Sequence, residues 1–273
     1  MSSIDINVVA EILREAAKAE ILPRFRRLDE GMVRQKTEAI DLVTEADEEA
    51  ERVITAAMRA RWPDALIVGE EAVSSDASLL DGLAGADLAV TLDPIDGTAN
   101  FAAGVPAFAV MAAVVSRGEV LAGVIYDPMG DDWLVAERGG GAWLVFPDGR
   151  RVRQRFAPAV PLEQMVGVAS PFLLPRPMRQ PILSNLAKVR INASYRCAGH
   201  EYRMACGGHL HYLMYGKLMP WDHLPGTLIS TEAGAFVGRL DGSRYEVGHT
   251  AGGVIVAADR DSYETLRREV FTV

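Results

Sequence analysis

The sequence predicts a layered, mixed α/β protein, and three observations favour that class. Apolar residues make up 49% of the 273 residues, which is ample for a large buried core. Short β-prone segments follow one another near the middle of the chain, as is typical of an antiparallel meander. Strands and helices then alternate in the second half, and such alternation favours helices packed in layers on sheets.

The chain begins with a predicted helix over residues 4–17, where apolar residues recur at helical spacing. Ser2 or Ser3 is the predicted N-terminal cap, because a serine hydroxyl can accept a hydrogen bond from an amide of the first turn. Pro23 is expected to end or kink this helix.

A second helix is predicted over residues 41–61, with Thr44 and Asp47 as a capping box. Apolar runs predict strands at residues 65–68 and 88–92. Both strands run directly into acidic residues.

The middle of the chain predicts an antiparallel meander. Its segments cover residues 108–116, 120–126 and 133–137. A polar, proline-containing stretch at residues 147–160 marks a soft boundary. We therefore expect an N-terminal half, residues 1–150, that carries the meander, and a C-terminal α/β half, residues 151–273.

The C-terminal half predicts alternating elements. The strands are predicted at residues 164–169, 189–193, 211–214 and 253–257, and the helices at residues 176–187, 201–207, 226–232 and 260–270.

Composition narrows the possible functions. The formal net charge of -9 argues against a nucleic-acid-binding surface. Cys197 and Cys206 are too few for a disulfide framework and form no zinc-type pair. The N-terminus lacks a signal-peptide pattern, and no stretch reaches the roughly 18 apolar residues of a membrane span. We therefore expect a cytoplasmic protein without a membrane anchor.

The segment Asp93-Pro94-Ile95-Asp96-Gly97-Thr98 concentrates the groups that bind a divalent cation and a phosphate. Two carboxylates on one turn can bind one hard cation or bridge two. Pro94 stiffens the turn, and Gly97 allows a close backbone approach to a ligand. A helix that starts near Thr98 would present free amides to an anion. The alternative is an ordinary acidic turn that caps a helix.

Three further acidic groups bring the acidic clusters of the chain to four, and three of the four lie where predicted strands end. They are the stretch Asp41–Asp47, Glu70 and Asp222. Strand ends and the loops after them commonly present functional groups. Capping is the alternative role for Asp47 and Asp222.

These segments resemble the signatures of the inositol monophosphatase family, in the family's order and separations. They are the run from Asp41 to Asp47, Gly69-Glu70-Glu71, the run from Asp93 to Phe101, and Trp221-Asp222; the segment from Thr231 to Ala235 resembles a further family region. The resemblance extends from the first helix to the C-terminus. It implies a layered α/β/α/β/α sandwich.

The resemblance also implies a set of roles. Two or three Mg²⁺ ions would be bound by Glu70, Asp93, the carbonyl of Ile95, Asp96 and Asp222. Thr98, hydrogen-bonded to Asp47, would help activate the attacking water, and the amides of Gly97 and Thr98 would hold the phosphate. The implied activity is hydrolysis of a phosphate monoester of a small metabolite, with lithium inhibition and a homodimeric state.

The chain departs from the inositol-specific pattern in the segment that reads substrate hydroxyls. Gly199, His200 and Glu201 stand where that pattern has small residues, and Tyr215 stands where it has an acid. We expect Gly199, His200 and Glu201 to contact the substrate. Histidinol phosphate, fructose 1,6-bisphosphate and 3′-phosphoadenosine 5′-phosphate are therefore alternatives to inositol phosphate, and Glu201 would suit the cationic histidinol phosphate.

Two other functions are alternatives to this metal-dependent phosphatase. A haloacid-dehalogenase-type phosphatase needs acids two residues apart, whereas Asp93 and Asp96 are three apart. A non-catalytic role in a protein or RNA complex is the alternative of another class, and the complete set of expected ligands argues against it.

Overall fold

The computed structural model describes residues 4–28, 33–35 and 42–272, and it contains the predicted layers. The helices are α1 (Ile6–Ala16), α2 (Glu45–Arg61), α3 (Glu70–Ser75), α4 (Thr98–Ala102), α5 (Arg176–Asn185), α6 (Ala198–Cys206), α7 (Pro220–Glu232) and α8 (Arg260–Glu269). Among the helices in these ranges, none combines the length and the apolar character needed to cross a membrane.

The strands pair into a two-stranded ribbon and two larger sheets within the described ranges. The ribbon and the first large sheet contain β1 (Val33–Gln35), β2 (Leu42–Thr44), β3 (Leu66–Gly69), β4 (Ala89–Asp96), β5 (Ala109–Ser116), β6 (Glu119–Asp127), β7 (Asp132–Glu137), β8 (Gly141–Val145) and β9 (Arg151–Arg153). The second large sheet contains β10 (Val166–Ser170), β11 (Ile191–Ala193), β12 (Tyr212–Lys217), β13 (Phe236–Arg239) and β14 (Ala251–Ala257).

The first large sheet contains the predicted meander. Its strand order is β3-β4-β5-β6-β7-β8-β9, and every pair from β4 onward is antiparallel. The pair β3 and β4 is parallel, so both strands end at the same edge of the sheet. The second sheet has the order β11-β10-β12-β14-β13.

The buried residues divide the molecule into five layers. One face of the first sheet packs against α1 and α2, for example through Leu13, Ile54 and Leu92. Its other face packs against α6 and α7, which lie between the two sheets. The outer face of the second sheet packs against α5 and α8 through Ile182 and Leu266. This is the expected α/β/α/β/α sandwich.

Several element boundaries differ from the sequence prediction. The cap of α1 is Asp5, whose side chain accepts from the amide of Asn7, and not Ser2 or Ser3. Strands β1, β2, β8, β9 and β13 are additional to the predicted ones. Strand β2 occupies residues 42–44, which were predicted as the start of the second helix, and α2 begins at Glu45. Helix α7 begins at Pro220 and not at residue 226, where the predicted helix starts. It continues through Pro225, which packs closely against Gly123 of β6. Tertiary packing thus overrides a local helix-breaking signal.

Candidate active site

Three of the predicted acidic side chains converge where β3 and β4 end. Glu70 opens α3 directly after β3, Asp93 lies near the end of β4, and Asp222 lies in the first turn of α7. One carboxylate oxygen from each lies within 4.8 Å of the others. We call Glu70, Asp93 and Asp222 the carboxylate cluster.

The cluster brings three acidic side chains close together. Burial, and then the charges of Glu70 and Asp222, hold the pKa of Asp93 well above its usual range. Burial, followed by the charge of Glu70, likewise raises the pKa of Asp222. Asp93 Oδ1 is buried without a hydrogen-bond partner among the described residues. Hard carboxylate oxygens with an orphaned buried acceptor fit a divalent cation such as Mg²⁺.

Asp96 is oriented differently from the cluster. Its carboxylate accepts from the amides of Ala198 and Gly199 and from the Cys197 thiol, all at the start of α6. The reason is that the first amides of a helix lack intrahelical partners and attract negative charge. Asp96 nevertheless remains close enough for its charge to raise the pKa of Asp93 and Asp222.

Asp47 and Thr98 meet beside the cluster, as predicted. The Thr98 hydroxyl lies 3.1 Å from Asp47 Oδ1 and 3.0 Å from the Ile95 carbonyl oxygen. The other oxygen of Asp47 accepts from the Thr44 amide at 2.9 Å, which completes the predicted capping box of α2. Burial raises the pKa of Asp47 to about 7, although the Thr44 hydrogen bond opposes that shift. Asp41, the other end of the predicted acidic stretch, lies outside the described residues.

Gly97 caps α4 in the left-handed region with φ of 90°. A Cβ atom at this position would lie 2.9 Å from the Ala107 carbonyl oxygen and 3.1 Å from Cys197 Cβ. Glycine is therefore required both by the backbone conformation and by the close packing. The turn brings the start of α4 beside the carboxylates of β4.

The predicted substrate segment lies at the start of α6 and is mostly buried. A Cβ atom on Gly199 would lie 2.8 Å from Ala109 Cβ. Glu201 is 1% exposed, and its two oxygens accept from the Tyr195 amide at 2.8 Å and the Tyr215 hydroxyl at 2.9 Å. His200 is partly exposed, and its Nε2 lies 3.1 Å from the Phe108 carbonyl oxygen.

Burial also raises the pKa of Glu201 to about 7. Its carboxylate does not face solvent, and the hydrogen bond that it accepts from the Tyr195 amide fixes the backbone at residue 195. Tyr215, where the inositol-specific pattern has an acid, is the hydrogen-bond partner of Glu201. The two departures from that pattern are thus in direct contact.

Three supporting residues were missed from the sequence. Glu51 of α2 accepts from the amides of Glu71 and Ala72, each at 2.8 Å, and so fixes the first turn of α3 that carries Glu70. Asn100 donates to the Tyr195 carbonyl at 2.7 Å, and Cys197 donates to Asp96. A usable signal existed for Glu51, since it lies one helical turn after Asp47 and interrupts an apolar face.

Comparisons with known proteins agree with this geometry. The profile of the inositol monophosphatase family matches residues 5–272. The Nus factor SuhB of Pseudomonas aeruginosa is 33% identical over 259 residues, which are 91% of this chain and 90% of that protein. The fructose-1,6-bisphosphatase/inositol-1-monophosphatase of Thermotoga maritima is 30% identical over 249 residues, 89% of this chain and 86% of that protein.

A solved structure gives the same result for the fold. The extragenic suppressor protein SuhB of Bartonella henselae superimposes with a TM-score of 0.81 at 27% identity, and the alignment covers 97% of each chain. Together with the family match and the carboxylate cluster, these similarities establish the family assignment that the motifs predicted. The chain belongs to the inositol monophosphatase family of phosphoric monoester hydrolases.

Proposed function

We propose that this protein hydrolyses a phosphate monoester of a small metabolite in a reaction that depends on Mg²⁺. The observation that carries the proposal is the carboxylate cluster of Glu70, Asp93 and Asp222 beside the Gly97 turn. Bound there, two or three Mg²⁺ ions would supply an activated water and neutralise the charge that develops on the leaving oxygen. Unassisted phosphate-ester hydrolysis is very slow, so this contribution must be large.

Asp96 and the Ile95 carbonyl complete the proposed ligand set. A carboxylate has about four acceptor positions. The hydrogen bonds that Asp96 accepts from α6 therefore leave capacity for a cation. These bonds also hold the side chain in a fixed orientation, which favours a preorganised site.

Thr98 and Asp47 are proposed to handle the proton of the attacking water. The Thr98 hydroxyl has one hydrogen and two acceptors in reach, Asp47 and the Ile95 carbonyl. Donation to Asp47 leaves the Ile95 carbonyl available as a ligand and directs the lone pairs of Thr98 to the water. The pKa of Asp47, about 7, suits a group that receives a proton near neutral pH. The amides of Gly97 and Thr98 are proposed to hold the phosphate.

An inositol phosphate or a similar small phosphate ester is the proposed substrate. We propose that His200, which is partly exposed, is the predicted contact that reaches the substrate, whereas Glu201 is 1% exposed and accepts from the Tyr195 amide and the Tyr215 hydroxyl. This arrangement weakens the case for histidinol phosphate that rested on Glu201. Gly199 would contribute by allowing α6 to approach β5 closely.

A homodimer in the cytoplasm is part of the same proposal. Exposed apolar side chains lie on the second sheet and the segments beside it, including Phe172 at 56% exposure and Ile191 at 51%. Ile191 lies on the edge strand β11, where a second copy could cover it. Sedimentation equilibrium should give a particle mass twice that of one chain, and Ile191→Arg should reduce that mass to that of a single chain.

A binding role in a nucleic-acid complex is the second candidate, because several relatives are named Nus factor SuhB. The net charge of -9 disfavours direct contact with nucleic acid, so such a role would require a protein partner.

The test is phosphate release from a panel of inositol 1-phosphate, histidinol phosphate, fructose 1,6-bisphosphate and 3′-phosphoadenosine 5′-phosphate. Each compound is assayed with Mg²⁺, without it, and with added Li⁺. We expect Mg²⁺-dependent release that lithium inhibits and that is fastest with one compound. A folded protein that releases no phosphate from any of them would favour the binding role.

A further inference from the structure

Strand β9 and its flanks carry a cluster of arginine side chains that the proposed chemistry does not use. Four arginines fall within six residues, and all four are exposed: Arg150, Arg151, Arg153 and Arg155. Within the described part of the chain, none of them forms an ion pair with a carboxylate, whereas Arg138 pairs with Glu119. A chain with a net charge of -9 thus concentrates unpaired positive charge on one strand.

The backbone of β9 is open to pairing along one side. Strand β9 is the last in the order of the first large sheet, and its neighbour there is β8. The Arg150 carbonyl accepts from the residue that follows β8, and the Gln154 amide donates to a carbonyl of β8. Because alternate residues of a strand direct their backbone groups to the same side, those of Arg151 and Arg153 point away from β8. No strand of the described ranges covers them there.

The arginine side chains lie over the sheet and leave this edge uncovered. The guanidinium carbons of Arg151 and Arg153 lie 5.0 and 5.1 Å from the centre of the Trp143 ring on β8. The guanidinium carbon of Arg150 lies 3.6 Å from the centre of the Phe146 ring. Such cation–π contacts favour these orientations. Charged side chains on an edge strand can block pairing with other chains, but these point back over β8 and not outward across the edge.

A cavity beside Trp143 extends the same surface. It has a volume of about 360 Å³ and lies between the start of α1 and strands β7 and β8, with Ile6, Val135, Trp143 and Arg151 in its wall. This volume is in the range of small-ligand pockets, so the cavity has room for a large apolar side chain. Glu137 is the acidic residue in the wall, so the positive charge is concentrated on the edge strand and not in the cavity.

We propose that β9 is a docking edge for an extended, acidic segment of a partner protein. The backbone of the segment would pair with Arg151 and Arg153, its carboxylates would bind the unpaired guanidinium groups, and one apolar side chain would enter the cavity beside Trp143. An open row of amides and carbonyls suits a peptide better than a nucleic acid. Strand β9 lies at the edge of the sheet opposite β3, so docking there leaves the carboxylate cluster accessible.

The test measures the binding of two fluorescently labelled peptides by anisotropy, one of alternating glutamate and valine and one of alternating lysine and valine. We expect the acidic peptide to bind at least about 10-fold more tightly than the basic one, because like charges repel the latter. The double variant Arg151→Glu/Arg153→Glu should weaken binding of the acidic peptide by about 10-fold or more. Phosphate release by this variant should equal that of the wild type.

Arg260→Glu/Arg268→Glu is the matched control, because it makes the same change of charge on the exposed surface of α8. It should leave binding of the acidic peptide unchanged. Hydrogen exchange of the wild type is the second measurement, and the acidic peptide should slow exchange at the amides of Arg151 and Arg153, since these would become hydrogen-bonded.

Four results would overturn the inference. They are equal binding of the two peptides, equal weakening in the two double variants, unchanged exchange at the β9 amides with the peptide bound, and tighter binding of an oligothymidylate than of the acidic peptide. The last result would make β9 a nucleic-acid site. None of these measurements depends on turnover, so their failure would leave the proposed phosphatase activity as it stands.

Discussion

The buried carboxylates at the active site fall into two groups that differ in their partners. Asp47, Glu51 and Glu201 each accept two hydrogen bonds or more from the protein. Asp93 instead keeps a buried oxygen unpaired and faces the charges of Glu70 and Asp222. The first group, which we call the supporting carboxylates, fixes backbone segments and the Thr98 hydroxyl, whereas the cluster keeps a buried acceptor that fits a cation.

The largest effect is expected from Asp93→Asn, which removes a charge from the cluster. Turnover should fall to the background rate, because metal catalysis contributes several kcal/mol to the barrier reduction. The metal-free variant should unfold at a higher temperature than the wild type at pH 8, since a buried repulsion is relieved. Phosphate release and thermal unfolding measure the two effects.

Asp87→Asn is the matched control for this variant. Asp87 is exposed and forms a surface ion pair with Arg117, so its loss should change neither activity nor stability measurably. Asp93→Asn with a near-normal rate would show that the cluster is not the catalytic centre.

A smaller loss is expected from Thr98→Ala, which breaks the link between Asp47 and the attacking water. We expect kcat to fall by about 10²–10⁴-fold, the usual size of general-base assistance, while Mg²⁺ affinity stays close to that of the wild type. Thr98→Ser retains the hydroxyl and should recover much of the rate. Calorimetry measures the Mg²⁺ affinity, and steady-state kinetics measure kcat. An equal loss of kcat in both Thr98 variants would contradict the role of the hydroxyl.

Glu51→Gln tests whether a supporting carboxylate acts through the cluster. The variant weakens two charge-assisted hydrogen bonds to α3, so the free energy of unfolding should fall by about 1–2 kcal/mol. Mg²⁺ affinity should fall about 10-fold because Glu70 loses its fixed orientation. Glu49→Gln, on the exposed side of α2 in a pair with Arg52, is the control and should leave both unchanged. Unchanged metal affinity in Glu51→Gln would show that this supporting carboxylate stabilises the fold without affecting metal binding at the carboxylate cluster.

An effect limited to the pH dependence of stability is expected at Glu201. Its pKa rises from 4.5 to about 7 in the folded protein, so its contribution to stability is full below pH 4.5 and is lost as the pH rises through 7. Glu201→Gln can keep both contacts, since its oxygen can accept from the Tyr195 amide and its amide group can donate to the Tyr215 hydroxyl, and it should remove this dependence. Relative to the wild type, the variant should gain up to about 3 kcal/mol between pH 5 and pH 8, as measured by urea unfolding in EDTA. A constant difference across that range would contradict the shifted pKa.

Local sequence signals predicted the cluster but not its support. The capping box at Thr44 and the acids that follow β3 and β4 are readable because each depends on residues close together in the chain. Glu70, Asp93 and Asp222 then meet because parallel strands end at one edge and α7 starts there.

The orientation of each carboxylate required the fold. Asp96 turns to α6, which lies about a hundred residues further along the chain. Glu201 looked like a pocket acid, but it is buried and accepts from the Tyr195 amide and the Tyr215 hydroxyl. No spacing rule encodes such pairings, since they depend on how α6 packs against both sheets.

The most direct test of the central claim is a Mg²⁺ titration of phosphate release by EDTA-treated wild-type protein, with Asp93→Asn measured in parallel on the same preferred substrate. We predict no release without metal, a saturable return of activity as Mg²⁺ is added, and no return in Asp93→Asn. Equal release in EDTA and in Mg²⁺, or a return of activity in Asp93→Asn that matches the wild type, would contradict it.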